Sequence, residues 1–198
     1  YPMSIISINC CPVSTQKPLS SVTPTPTITK TNTPTPTQTI TPTPSAEPVN
    51  IVINGSLENS LSNWTFSSVD YNYYGFDRYF VDLNACGIGY ISQTITTIPG
   101  QNYVIYFDLS GNCGVRFDNN VADKVMKLTL TGTNIILNKT YTYTCPSYGF
   151  QVSAETFGWN TISETFTANS NSTLLKFESI SPGGCFGPMI SRVSGYKI

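Results

Sequence analysis

From residue 49 onward, apolar and polar residues alternate with a period of two, in one short segment after another. Segment 125–131 is the clearest case: Met126, Leu128 and Leu130 fall on one side, and Lys127, Thr129 and Thr131 on the other. Segments 64–69, 79–83, 90–98, 135–143, 160–167, 173–180 and 189–198 read the same way. Segment 103–109 is apolar on both faces, which predicts a central strand covered on both sides. No stretch sustains a period of 3.6 residues, so no helix is expected. Strands in this number, separated by Gly, Pro and Asn, predict a sandwich of two sheets.

Residues 23–43 follow a different rule. Thr23, Thr25, Thr27, Thr29, Thr31, Thr33, Thr35, Thr37, Thr39, Thr41 and Thr43 occupy every odd position. Pro24, Pro26, Pro34, Pro36, Pro42 and Pro44 stand at even positions. Such a run has no apolar face, loses a backbone donor at each proline, and stays near extended or polyproline II geometry. At about 3.1 Å per residue it could span roughly 65 Å. A hydroxyl at every second position suits O-linked sugar, carried on these threonines or on hydroxylated prolines. Three regions are therefore expected: a strand-like segment with Cys10-Cys11 over 1–17, a Thr/Pro-rich, O-glycosylated spacer over 18–48, and a β-sandwich domain over 49–198.

Composition narrows the function. Ten basic and eleven acidic residues give a net charge of −1, with no block of one sign to attract nucleic acid. The apolar runs are too short to insert in a membrane. Histidine is absent, which removes the commonest general base and metal ligand. The chain starts at Tyr1 rather than Met, which fits removal of a secretory signal.

Six cysteines, Cys10, Cys11, Cys86, Cys113, Cys145 and Cys185, form no CxxC pair. With the sequons at Asn54, Asn63, Asn138 and Asn171, they indicate disulfides in a secreted glycoprotein. Pro99-Gly100-Gln101-Asn102 is a turn between two β-forming runs. A hairpin there would return Cys86 and Cys113 to one end, predicting Cys86–Cys113 and leaving Cys145–Cys185. Cys10 and Cys11 could bridge each other or another chain.

The order Asn54-Gly-Ser-Leu-Glu58, Trp64, Val81-Asp-Leu-Asn84, Ile91-Ser-Gln-Thr and Phe107-Asp-Leu-Ser-Gly-Asn112 is distinctive. Trp159, Phe166-Thr-Ala, Thr173-Leu-Leu-Lys-Phe-Glu-Ser and Cys185-Phe-Gly-Pro-Met-Ile continue it. Over 49–198 it resembles the plant and bacterial extracellular family called domain of unknown function 642. The resemblance implies a galactose-binding-like jelly roll associated with extracellular matrix and polysaccharide. It also makes Trp64 and Trp159 packing residues. In related jelly rolls a calcium ion ties the first strand to the last through the Glu that Glu58 matches. Here Ser191 and Arg192 replace the usual acids, so no cofactor is expected and an ion pair between Glu58 and Arg192 is the alternative to the metal.

Segment 71–80 holds six aromatics in ten residues, and flat rings with polar rims suit sugar stacking. Tyr71, Tyr73 and Tyr74 are the expected exposed members, the rest facing the core. Glu58, Asp77, Asp82 and Asp108 are the only carboxylates that could gather for catalysis. No spacing pairs them, so no catalytic residue and no enzyme is expected. Segment 3–8 could add a strand to a neighbouring molecule. The expected function is thus a structural subunit of an extracellular glycosylated fibre, self-associating through its arm into a homopolymer. The alternative is a carbohydrate-binding module, with glycans as partners, held on a glycosylated stalk.

Overall fold

The computed structural model describes residues 47–74, 78–113, 123–146, 158–181 and 184–198, with residues 73 and 74 described by their backbone alone. The Thr/Pro-rich run, segment 3–8 and the Cys10-Cys11 pair lie outside the described residues, as does Asp77. The described residues contain ten strands: β1 (Thr65–Ser67), β2 (Asp70–Tyr74), β3 (Arg78–Asp82), β4 (Tyr90–Thr96), β5 (Asn102–Gly111), β6 (Lys124–Thr131), β7 (Ile135–Tyr143), β8 (Asn160–Thr167), β9 (Ser172–Ser179) and β10 (Pro188–Lys197). Among them there is no helix, and hence none long and apolar enough to cross a membrane.

The strands form two antiparallel sheets packed as a jelly-roll sandwich. Sheet A has the order β1-β4-β9-β6-β7, and sheet B the order β2-β3-β10-β5-β8. The period-two pattern decides which side chains meet between them. Met126, Leu128 and Leu130 on β6, with Leu175 and Phe177 on β9, face Ile105, Phe107 and Leu109 on β5, and all are buried. The Phe107 ring meets Phe177 edge-on at 5.1 Å between centroids, and Tyr141 at 5.4 Å. β5 is flanked by β10 and β8 and buried along most of its length, as its two-sided apolar pattern predicts.

The chain before β1 is stitched to both sheets. Ile51 donates its N–H to the Gly195 carbonyl of β10, and Val193 donates to the Gly55 carbonyl. A Cβ at residue 55 would collide with the Val193 carbonyl, so glycine is required there. From β4, buried Gln93 donates through Nε2 to the Ile53 and Asn63 carbonyls and accepts the Ile53 N–H at Oε1.

Two sequence expectations fail together. β4 and β5 are not a hairpin: β4 pairs with β1 and β9 in sheet A, while β5 pairs with β10 and β8 in sheet B. The turn between them carries the chain from one sheet to the other. Its backbone bonds to the β8–β9 connection, with Thr97 N–H on the Asn171 carbonyl and Gly100 N–H on the Ala168 carbonyl. Because Cys86 and Cys113 are not brought back to one end of a hairpin, they do not pair. The disulfides are Cys86–Cys185 and Cys113–Cys145. The first joins the β3–β4 connection to the β9–β10 connection, and the second joins the end of β5 in sheet B to the end of β7 in sheet A.

Next to the first disulfide lies a buried carboxylate. Asp82, 2% exposed, accepts the N–H groups of Asn84 (2.9 Å) and Gly187 (3.0 Å) and the side-chain amide of Asn112 (2.8 Å). A Cβ at Gly187 would stand 2.7 Å from Asp82 Oδ1 and 2.6 Å from Asn84 Oδ1, so only glycine lets the chain pass so close. Burial raises the Asp82 pKa to about 6 against these three donors, with Asp70 opposite it on β2 adding to the rise.

Asp82 therefore binds its proton more tightly in the folded than in the unfolded chain. Its contribution to stability, about 3 kcal/mol for a rise of that size, is complete below pH 4 and fades as pH climbs through about 6. Glu178 opposes this trend: burial pushes its pKa up, but Lys127 and Lys176 hold it below its ordinary value, so its contribution is lost in acid. We expect denaturant titrations between pH 7 and pH 4.5 to give wild type a gain in unfolding free energy that Asp82→Asn lacks; parallel profiles for the two proteins would contradict this. Non-reducing digestion should release Cys86 linked to Cys185 and Cys113 linked to Cys145. A peptide joining Cys86 to Cys113 would contradict the two-sheet assignment of β4 and β5.

Candidate functional site

The two outward faces of the sandwich differ in chemistry. On sheet A the outward positions carry Lys127, Lys176, Glu178 and a set of threonines. Glu178 takes both Lys127 Nζ (2.8 Å) and Lys176 Nζ (2.7 Å), and Lys176 lies 4.5 Å from the centre of the Tyr90 ring. These charges satisfy one another at the surface, where each pair contributes about 1 kcal/mol or less.

The outward face of sheet B is built from four strands distant in sequence. Register places Asp108 of β5 opposite Ser191 of β10 on one side and Thr161 of β8 on the other. Arg78 stands on β3, beyond β10 and two strand spacings from Asp108, about 10 Å. Its side chain crosses β10 and bonds Asp108 Oδ2 through Nη1 at 2.9 Å. Residue 191 lies beneath this path. As serine it is short and fully buried, and its hydroxyl donates to the Tyr79 carbonyl at 2.7 Å. The other oxygen of Asp108 accepts from the Thr161 hydroxyl at 2.7 Å, so both carboxylate oxygens are engaged.

Aromatic rings border this polar cluster. Trp159, just before β8, holds its ring 4.6 Å from the Arg78 guanidinium carbon and 6.0 Å from the Phe80 ring. One outward position along β5 from Asp108, Tyr106 is 40% exposed and meets Tyr196 of β10 at 6.4 Å. Arg78 is half-buried; burial lowers its pKa, the nearby Arg192 guanidinium lowers it further, and Asp108 raises it again. It stays a cation throughout the neutral range. Beside the cluster, Ser110 Oγ is buried without a hydrogen-bond partner. The result is a sheet face with rings, a fixed ion pair and hydroxyls, buried at Phe80, Asp108 and Ser110 and accessible at Tyr106, Arg78 and Trp159, chemistry suited to holding a polar ligand with apolar ring faces.

The sequence-predicted residues fall elsewhere. Tyr71 is half-buried on the core side, stacked on Tyr79 at 5.9 Å, with its hydroxyl donating to the Leu57 carbonyl. It does not present the free ring expected of it. Register sets Tyr73 opposite Tyr79 and Tyr74 opposite Arg78; their side chains lie outside the described residues. Trp64 is a packing residue, 6% exposed, with Nε1 on the Asn54 carbonyl. Trp159 is not. It sits on the outward face with Arg78, because the segment entering β8 lies outside the core cluster.

Glu58 is exposed and forms no ion pair with Arg192. Among the described residues no group of three or more His, Cys, Asp or Glu side chains could hold a metal ion. Asp82 and Asp108 are each saturated by their own donors in separate places and do not form an acid/base pair. The sequons also differ in setting. Asn63, Asn138 and Asn171 are exposed. Asn54 instead uses Nδ2 to donate to the Ser60 (3.0 Å) and Ser62 (2.9 Å) carbonyls and accepts the Asn59 N–H.

Arg78, Thr161, Tyr106 and Tyr196 escaped sequence reasoning. The available signal was Asp108, a lone carboxylate within the otherwise apolar run of β5 and on the same side of the strand as Tyr106.

The domain resembles solved structures of carbohydrate-binding modules. TmCBM61, solved with β-1,4-galactotriose, superposes with a TM-score of 0.54 at 14% identity, covering 76% of this chain and 99% of that one. A family 4 carbohydrate-binding module gives 0.51 at 13% identity, covering 74% and 99%. A family 16 carbohydrate-binding module gives 0.51 at 11% identity, again covering 74% and 99%. At these identities the likeness is one of fold. No curated protein matches the sequence. Residues 41–195 match the family described as "Protein of unknown function (DUF642)", and the chain belongs to that family.

Proposed function

We propose that the domain is a non-catalytic carbohydrate-binding module of an extracellular glycoprotein, taking its glycan on the outward face of sheet B. The observation that carries this reading is the joining of exposed Tyr106 and half-buried Tyr196 to the Arg78–Asp108–Thr161 cluster and Trp159 on one face. Rings supply platforms for the apolar faces of pyranoses, and the fixed polar groups orient the hydroxyls. Neighbours of the same fold, among them one solved with a galactotriose, lend support. The separate saturation of Asp82 and Asp108 favours binding over catalysis. Two disulfides favour an oxidising compartment. The fibre reading depends on residues 1–48, and nothing in the described domain favours it; in the present reading that Thr/Pro-rich run serves as the glycosylated stalk.

The sequons add an independent argument. The exposed ones lie just before β1, on β7 and just before β9, all three strands of sheet A. Sheet B carries no sequon on its described strands, so attached sugar would not cover Tyr106.

In affinity electrophoresis against a panel of galactans, glucans and uronans, the protein should be retarded by at least one polymer. Tyr106→Ala, at a partly exposed site, should weaken that retardation about tenfold while leaving the melting temperature nearly unchanged. A blank panel, or full binding by Tyr106→Ala, would remove the basis for this site. When the protein is secreted from a eukaryotic host and deglycosylated in heavy-oxygen water, label should appear at Asn63, Asn138 and Asn171 and not at Asn54. Occupancy of Asn54 would mean that its loop opens before the domain is complete.

A further inference from the structure

We propose that the sugar taken on sheet B carries a carboxylate, a uronate residue, and that Arg192 with Arg78 receives it; this rests on the carbohydrate-binding reading above. The argument begins with the backbone. Along β10, Ile190 points into the core and Ser191 outward, so plain alternation would turn Arg192 inward. A β-bulge between Ser191 and Ser194 prevents this. Val193 takes the inward place, 2% exposed, and Arg192 adopts a left-handed conformation with φ of 49° and remains exposed. Bulges of this kind re-aim a side chain, and a non-glycine residue in the left-handed region is uncommon enough to ask what it achieves. Here it keeps a guanidinium on the surface.

Ser191 Oγ bonds the Tyr79 carbonyl, and the sequence neighbours of these two residues, Arg192 and Arg78, lie close enough for the charge of one to act on the other. The carboxylate nearest to Arg78, Asp108, has its oxygens taken by Arg78 and Thr161. Among the described residues no carboxylate pairs with Arg192. Asp82 is four residues along β3 from Arg78, about 13 Å. That exceeds the screening length of about 8 Å at physiological salt, and Asp70 pairs beside it at the same far end. Among the described residues this spot carries two guanidiniums for one nearby carboxylate.

A guanidinium presents parallel N–H groups that match a planar carboxylate in a bidentate pair. Tyr106 lies one outward position from Asp108, about 7 Å, the span of a single pyranose with its carboxylate. A uronate could therefore stack on Tyr106 while its acid group meets Arg192 and the free N–H groups of Arg78.

The test uses the full chain in affinity electrophoresis and calorimetry with polygalacturonate, its fully methyl-esterified form, dextran sulfate and neutral β-1,4-galactan. Polygalacturonate should bind most tightly, and esterification should abolish that advantage. Arg192→Asn keeps a residue tolerant of the left-handed conformation and should weaken polygalacturonate binding about tenfold, while any galactan binding stays unchanged. Equal binding of free and esterified polymer overturns the proposal, as does dextran sulfate matching polygalacturonate, which would mean that charge alone is sensed. Binding of galactan without any preference for uronate overturns this proposal and leaves the carbohydrate-binding reading intact. Failure of all four polymers overturns both.

Discussion

The insertion of β10 between β3 and β5 is the constraint on which the rest of the domain depends. It is the last strand in the chain, yet it supplies the middle of sheet B. Ile190 and Val193 enter the core from it, Gly195 takes the amide of Ile51, and the Val193 amide takes the Gly55 carbonyl. Without β10, β2 and β3 would have no hydrogen-bonded route to β5 and β8. The Arg78–Asp108 pair spans this strand, so it exists only once β10 is in place. Long-range pairing of this kind is entropically costly before its contacts form. The Cys86–Cys185 bond, which closes a separation of 99 residues beside the entry to β10, offsets part of that cost.

Strand positions were legible in the sequence because they depend on a local rule. A period of two over six or more residues marks a half-buried strand whichever sheet it joins, so 135–143 and 160–167 were recovered to the residue. Partnership was not legible. Pro99-Gly100 has the chemistry of a hairpin turn, and Gly100 does adopt a positive φ of 78°. The same turn serves to cross from sheet A to sheet B, because its hydrogen bonds go to residues 168 and 171 rather than across a ladder. Only the distant β8, β9 and β10 decide between these outcomes, and the disulfide pairing follows them.

The site was obscured for a related reason. A cluster of aromatics close in sequence, such as 71–80, draws attention, but alternation sends its members to opposite faces and turns Tyr71 to the core side. The face proposed to bind takes one or two residues from each of several strands. Trp159, Thr161, Tyr106, Asp108, Arg78 and Tyr196 span more than a hundred positions and form no motif. Trp159 was assigned to packing by resemblance, whereas its ring serves as a platform for a guanidinium outside the core.

The contrast between the two outward faces is itself an argument about binding. On sheet A, every described Lys and Glu of β6 and β9 that faces outward is engaged with a partner on the same face, leaving little field for a ligand to complete. On sheet B, Asp108 is saturated, while Arg192 pairs with no carboxylate among the described residues. A left-handed arginine costs stability, and a purely structural face would gain by replacing it. Its place beside Tyr106, the exposed tyrosine of this face, fits the proposal that a ligand supplies its partner. The polarity of what is missing, an acceptor with negative charge, then points to the same chemistry as the bulge that holds Arg192 at the surface.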